Sequence, residues 1–420
     1  MITCVEALNF RCLRDVQQPL ERFHVLVGPN GSGKSTFLDS ISFVGRLLSD
    51  GPDAALEERT TEFCELVWRR EHARFELAIE AQIPDPVRSQ LARPEWNAIR
   101  HEVAVGTNGL DGGPGILAET VLLLKRLPAA HGQRELFPCA RSPRPTILMG
   151  SKSRGRRTVA NKNPAGLDHF YSEVLDKPGK GWMPTFRLGP KRSALANLPE
   201  DETQFPAATW LKWLLTTGVQ RIALNAALMQ KASPPAARRK EFQVDGSNLP
   251  WIVHGLETAS PDRLRRWVAH LRTALPDLET IQTRERPDDR HRYLVLCYEG
   301  GLHIPSWLAS DGTLRLLALT LPAYLPGVTG IYLIEEPENG IHPRAIETVV
   351  QSLSSVYDAQ VLLATHSPVV LSTVDADAVL CFSRDESGAT DIVRGREHPR
   401  LAEWRGEENL SVLFAAGVLG

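Results

Sequence analysis

Apolar positions along this chain follow two rhythms, and the switches between them mark out its elements. Residues 23–27, Phe-His-Val-Leu-Val, form a short apolar run of the kind a buried strand shows. From Phe37 to Val44 apolar residues recur at roughly helical spacing. Residues 2–8 and 9–16 read as two strands joined by a polar turn. Residues 63–70 and 74–80 alternate apolar and polar, which predicts strands of an antiparallel, half-exposed sheet, and 121–125 predicts a further one. Residues 209–222 predict one or two helices, and 261–272 another, with Ser260 placed to cap it. Residues 293–298 read as a strand, and 308–319 as a small polar turn opening an apolar helix. Then come an apolar strand at 330–334, a helix from about Arg344, and a second buried strand at 361–364. Strands and helices alternating in this way predict a mostly parallel sheet, whose strand C-termini converge on one ligand edge.

Three pieces of chemistry fall at such ends. The stretch from Gly28 to Thr36, Gly-Pro-Asn-Gly-Ser-Gly-Lys-Ser-Thr, fits the P-loop pattern G-x-x-x-x-G-K-[ST] between a strand and a helix start. Its glycines let backbone N–H groups curl around phosphates, and the helix N-terminus adds partial positive charge. Lys34 would reach the β- and γ-phosphates, and the Ser35 hydroxyl would hold Mg²⁺. The strand at 330–334 ends in adjacent carboxylates, Glu335 and Glu336. The first can hold Mg²⁺ through water, and the second can polarise an attacking water. The strand at 361–364 ends in Thr365-His366, and a histidine there can contact the γ-phosphate or the same water.

Composition adds bounds. Of 420 residues, 42% are hydrophobic and 23% charged, ordinary values for a globular chain with a sizeable core. The length allows two or three units of roughly 100–200 residues, or one domain with a large insertion. No run of about 18 apolar residues predicts a membrane span, and no signal peptide is visible. Six scattered cysteines without a C-x-x-C pair read as reduced thiols, which places the chain in the cytoplasm. A net charge of −2 confines any nucleic-acid contact to a local patch. Residues 141–192 carry twelve Lys/Arg against three Asp/Glu, interleaved with Phe170, Tyr171, Trp182 and Phe186. Basic side chains among aromatics suit DNA or RNA, although such a run also reads as a solvated loop.

The motifs and their order resemble those of an ABC-type ATPase of the RecF/SMC/OLD group. The resemblance covers roughly residues 1–80 and 290–385. It makes residues 28–36 the Walker A motif, with Asn30, Gly31, Ser32, Gly33, Lys34, Ser35 and Thr36 binding ATP. Ser310-Asp311-Gly312-Thr313-Leu314-Arg315 resembles the signature motif, whose Ser310 and Gly312 would contact ATP held by a second protomer. Residues 331–336 match Walker B, with Glu335 on Mg²⁺ in place of the usual aspartate and Glu336 in the catalytic position. Residues 338–342 fall on the D-loop, and His366 on the switch histidine. Gln82, or less directly Gln133, would supply the Q-loop glutamine toward the metal. In such ATPases a residue near the first hairpin commonly lies beside the base; Phe10 or Arg11 could do so here, and each reads equally well as an ordinary hairpin residue.

The implied fold is α/β: a P-loop NTPase head of ABC type with a mostly parallel sheet, an antiparallel β-subdomain and an inserted, largely helical subdomain. The expected division is 1–90 for the N-terminal part of the head, 91–289 for the helical and irregular insert, and 290–420 for the C-terminal part. No sustained heptad pattern occupies the insert, which excludes a coiled-coil rod. The chain after His366 is expected to be too short for a nuclease domain, so the reading is a compact, stand-alone ATPase. The resemblance implies a homodimer around ATP and Mg²⁺, open to higher assembly. It further implies a regulatory switch of an anti-phage system with a separately encoded nuclease or toxin as effector. A RecF-like ATPase that clamps DNA is the alternative, and a transporter ATPase a weaker third.

Overall fold

The computed structural model describes all residues except 108–112, 127–133, 135, 141, 150–154, 164–165, 176–184, 200–201, 238–240 and 400–420. A six-stranded sheet forms its centre. The order is β10 (Val219–Ile222), β14 (Gly330–Glu335), β15 (Ala359–Ala364), β3 (Phe23–Val27), β16 (Val379–Arg384) and β17 (Thr390–Arg394). Every neighbouring pair runs parallel except the edge pair β16–β17. Successive residues of these strands enter two different cores. Leu26, Leu333, Leu362 and Phe382 pack on the face covered by the long helix α1 (Lys34–Glu57). Val25, Val27, Ile334, Leu363 and Cys381 pack on the other face. Burial on both faces explains why the strands at 23–27 and 361–364 read as continuous apolar runs.

The second core lies under α5 (Leu249–Ala259), α6 (Pro261–Leu271), α7 (Asp311–Thr320) and α8 (Pro343–Ser354). A three-stranded antiparallel sheet, β11 (Leu278–Glu285), β12 (Arg292–Tyr298) and β13 (Leu302–Pro305), packs there too. Trp267 of α6 is fully buried, with its indole N–H on Thr320 Oγ1 at 2.9 Å. The shorter helices are α2 (Asp85–Arg88), α3 (Pro206–Trp213), α4 (Ala226–Met229) and α9 (Pro368–Leu371).

An eight-stranded antiparallel sheet closes the first core. Its order is β2 (Leu13–Pro19), β1 (Ile2–Phe10), β4 (Arg74–Gln82), β5 (Ala98–Thr107), β6 (Pro114–Leu124), β7 (Arg156–Lys162), β8 (Asp168–Phe170) and β9 (Thr185–Phe186). This sheet departs from the expected helical insert. Strands β5 to β9, between Ala98 and Phe186, extend it, and among the described residues of the expected insert the first α-helix is α3 at Pro206. The strand pattern of β5 is hidden by three consecutive buried polar residues, Arg100, His101 and Glu102. They are tolerated because each is paired: Arg100 with Glu6 and with Glu102, and His101 with Glu119.

Two local expectations also change. Residues 63–70 form two 3₁₀ turns, Phe63–Leu66 and Trp68–Arg70, and only Val67 bridges to Phe10. Arg69 and Arg70 take φ of 50° and 60°, which a strand cannot accommodate, and Leu66, Val67 and Trp68 are buried in succession. The helix expected over 209–222 stops at a π-helical turn, Leu214–Gly218, and Val219 starts β10 instead.

Three basic residues of the 141–192 segment form ion pairs within the chain, while Arg141, Lys152, Arg154, Lys177 and Lys180 lie outside the described residues. Arg144 pairs with Asp15 and Glu6, Lys191 with Asp53, and buried Lys162 with Asp168. Phe170 is fully buried and stacks on Phe186. Trp182, Gln133 and residues 151–154 lie outside the described residues.

Candidate functional site

The C-terminal ends of β3, β14 and β15 lie side by side, because the parallel register sets Leu26 against Ala364 and Ala364 against Glu335. That register brings the three chemical stretches together. The P-loop follows β3, the carboxylates end β14, and Thr365-His366 follows β15.

Lys34 opens α1 and is buried, its amine donating to the carbonyls of Gly28 (2.8 Å) and Pro29 (3.0 Å). Burial holds the ammonium down, to about 8 from 10.5, against the pull of Glu336 and Glu335. The Ser35 hydroxyl donates to Glu335 Oε2 at 2.5 Å. Glu336 is exposed and adopts φ of 48°; its N–H donates to Ala364 O, and Asn339 Nδ2 donates to its Oε2 at 2.5 Å. Glu338 anchors the neighbouring loop, accepting from Thr365 Oγ1 (2.6 Å) and from the His366 N–H (3.2 Å). Burial and the Lys34 charge lower the His366 pKa, opposed by Glu336 and Glu338.

These residues fit a triphosphate and a divalent cation. The N-terminus of α1 has no side-chain cap and no acidic residue in its first turn, leaving its N–H groups to an anion. Among the described residues the buried Ser32 hydroxyl has no hydrogen-bond partner, and it is a donor that a phosphate oxygen would satisfy. Ser35 Oγ and Glu335 Oε2, a hydroxyl and a carboxylate in contact, are oxygen donors of the kind Mg²⁺ takes. Asn30 and Gly31 are exposed at the loop tip, and Thr36 follows in the first turn of α1.

The signature-like residues form a second, separate feature on α7. Ser310 caps that helix, its Oγ accepting from the Thr313 N–H at 3.1 Å, and it is exposed. A Cβ on Gly312 would stand 2.3 Å from the Gly340 carbonyl, so the start of α7 lies directly on the loop that follows Glu336. Among the described residues no hydrogen bond joins Ser310 or Gly312 to the P-loop of the same chain.

Gln82 stands elsewhere, which corrects its assignment to the metal. It ends β4 in the antiparallel sheet, exposed, with its N–H on Met1 O. The adjoining Ile2 exchanges bonds with Gln360, at the N-terminal end of β15, whereas the site lies at the C-terminal end. Phe10 is buried against Phe43 and Phe75, and Arg11 pairs with Asp39, so neither is presented freely to a base.

Three contributors escaped the sequence. Thr390 of β17 donates from Oγ1 to Ser32 O at 2.9 Å. The Arg384 guanidinium lies over Gly31, with Nη2 3.1 Å from where a Cβ would stand. Arg221 of β10 pairs with Glu335 Oε1 at 2.5 Å. No local motif announces any of them.

Nucleotide affinity is expected to be flat below about pH 8 and to fall by up to roughly tenfold per pH unit above it. Lys34 loses its proton there in the free protein, while bound phosphates raise its pKa, so binding takes up a proton. Titrating a fluorescent nucleotide from neutral to alkaline pH checks this, and affinity that stays flat to pH 10 removes Lys34 from phosphate binding.

A family described as "AAA domain, putative AbiEii toxin, Type IV TA system" matches residues 23–92 and 174–372. A 75-residue stretch is 40% identical to the "Retron Vc95 probable ATPase" of Vibrio cholerae serotype O1 biovar El Tor, covering 17% of this chain and 14% of that protein. A 44-residue stretch is 46% identical to the "OLD nuclease" of Thermus scotoductus (strain ATCC 700910 / SA-01), covering 10% of this chain and 8% of that one. Among solved structures, an Smc head bound to the C-winged helix domain of ScpA superposes with a TM-score of 0.53 at 14% identity. It covers 93% of this chain and 96% of that chain, and the likeness is one of fold. No described helix is long and apolar enough to cross a membrane.

Proposed function

The chain belongs to this AAA-domain family, with the ABC-type ATPase fold of the RecF/SMC/OLD group, and from that premise we propose that it binds ATP with Mg²⁺ and hydrolyses it between two copies of its head. The observation that carries the reading is the convergence of Lys34, Ser35, Glu335, Glu336 and His366 on one strand edge. Lys34 would leave the Gly28 and Pro29 carbonyls for the phosphates, exchanging neutral acceptors for charged ones. Ser35 and Glu335 would hold Mg²⁺, which when bound neutralises charge on the phosphates. Glu336 would take the proton of the attacking water, with His366 placed to hydrogen-bond the γ-phosphate.

The proposed dimer is supported by the exposure of the signature-like helix start. Among the described residues no hydrogen bond joins Ser310 or Gly312 to the P-loop of the same chain, and Ser310 is exposed at the start of a ten-residue helix. A second copy presenting that helix end to the first copy's nucleotide would complete the site. Contacts to the γ-phosphate, made only before hydrolysis, would then bias the pair between closed and open.

The biological setting is proposed by analogy with the relatives' printed names, a retron ATPase, an OLD nuclease and a toxin–antitoxin family. On that analogy the protein is the ATP-driven switch of a bacterial defence system, acting on a separately encoded effector. DNA clamping as the main output is the alternative reading, which would use the basic segment 141–192; of its described basic residues only Lys162, paired with Asp168, is buried away from such a role. Light scattering with a non-hydrolysable ATP analogue and Mg²⁺ is expected to show a doubled mass relative to ADP. A protein that binds no nucleotide, or binds it and stays monomeric, rejects the sandwich.

A further inference from the structure

Glu335 carries one more methylene than the aspartate usual at this position, and so one more torsion to be held. In this protein both of its oxygens are engaged. Oε2 accepts from Ser35 Oγ, and Oε1 is paired with the Arg221 guanidinium, each at 2.5 Å. Arg221 reaches it because β10 is parallel to β14 with Arg221 opposite Leu333, which puts Arg221, Leu333 and Glu335 on the same face, toward α1.

Close backbone contacts set β10 in place. A Cβ on Gly330 would stand 2.3 Å from Gly218 O, and one on Gly45 of α1 would stand 2.4 Å from Leu215 O. The π-helical turn ahead of β10 is thereby pressed against both the helix that starts at Lys34 and the strand that ends at Glu335. Arg221 is thus delivered from the inserted segment by packed backbone.

We propose that Arg221 is a positioning residue for the magnesium carboxylate: by holding Glu335 Oε1 it aims Oε2 at Ser35, which lets a glutamate serve where an aspartate is usual. The inference rests on the ATP-binding reading above. It also gives the insert a role in the site that the misplaced Gln82 does not fill. Arg221 is half exposed, so its effect belongs at the low end of what partners behind a metal ligand contribute.

The test is a Mg²⁺ titration of fluorescent-ATP binding to the full chain, in wild type, Arg221→Ala and Arg221→Lys, each with and without Glu335→Asp. Arg221→Ala is expected to raise the Mg²⁺ concentration at half-saturation by roughly tenfold, with Mg²⁺-free nucleotide affinity and thermal midpoint unchanged. Arg221→Lys restores part of the shift. In the Glu335→Asp background the Arg221→Ala shift shrinks, because the shorter carboxylate no longer reaches the guanidinium. An unchanged Mg²⁺ midpoint overturns the inference alone, as does a loss that appears equally without Mg²⁺. A wild type that binds no nucleotide overturns the function and this inference with it.

Discussion

Replacing Glu336 by glutamine is expected to lower ATP turnover by roughly two to four orders of magnitude while leaving nucleotide binding nearly intact. The substitution keeps the side chain's length and its acceptor toward Asn339, but removes the negative charge that draws a proton from water. Glu336 is well placed for that task. Its φ of 48° turns the chain sharply just past β14, and the N–H bond to Ala364 O ties the turn to β15. A non-glycine residue held in that region costs on the order of 1–3 kcal/mol, which the surrounding structure must offset. The strain projects the carboxylate beyond the strand ends instead of into either core. Glu335, one residue earlier, keeps strand geometry and faces Ser35. Adjacent carboxylates therefore point to different tasks. Phosphate release under saturating ATP, with binding measured in parallel, checks the expectation. The ATP-bound variant should also accumulate as a stable dimer, since the closed pair can no longer reset. Turnover within threefold of wild type would move the general base to another residue.

Gly28→Ala is expected to abolish measurable nucleotide binding, a loss of about a hundredfold or more, and to destabilise the fold by roughly 1–3 kcal/mol. Gly28 adopts φ of 147°, and an added Cβ would lie 2.2 Å from the carbonyl oxygen of Phe382. That oxygen belongs to β16, hydrogen-bonded beside β3 through the Leu26 and Val27 register, so it cannot step aside without breaking the central sheet. The loop would move instead, displacing the Gly28 carbonyl that Lys34 now engages and the N–H groups that would cradle phosphate. Equilibrium dialysis with labelled ATP measures the first effect, and chemical denaturation the second. Wild-type affinity in this variant would mean that the phosphate site does not depend on the geometry of this loop.

Much of this site is legible in the chain's short motifs. The P-loop, the paired glutamates and the Thr365-His366 strand end are each contiguous, and each carries its own strand-and-helix context. The parallel register then gathers them on one edge, as alternating elements require. The helix start at Ser310 and the close approach at Gly312 are legible for the same reason. The antiparallel extension over 98–186 is not. Buried charges such as Arg100 and Glu102 interrupt its apolar pattern; Glu102 pairs with Arg100 in its own strand, but Arg100's other partner, Glu6, lies 94 residues away in sequence.

The sequence by itself determined the candidate chemistry: which residues are of the types that phosphate binding, divalent-cation binding and water activation need. It did so because those tasks need particular residue types at fixed short spacing, and short spacing is local geometry. Only the tertiary structure decided which distant side chains complete the site. It placed Arg221 on Glu335, Thr390 on Ser32 and Arg384 over Gly31, and it carried Gln82 to the opposite end of the sheet. Those choices depend on which strands become neighbours and in what register. Pairings across 114 to 358 residues are set by the packing of two whole cores, which no short stretch of sequence encodes.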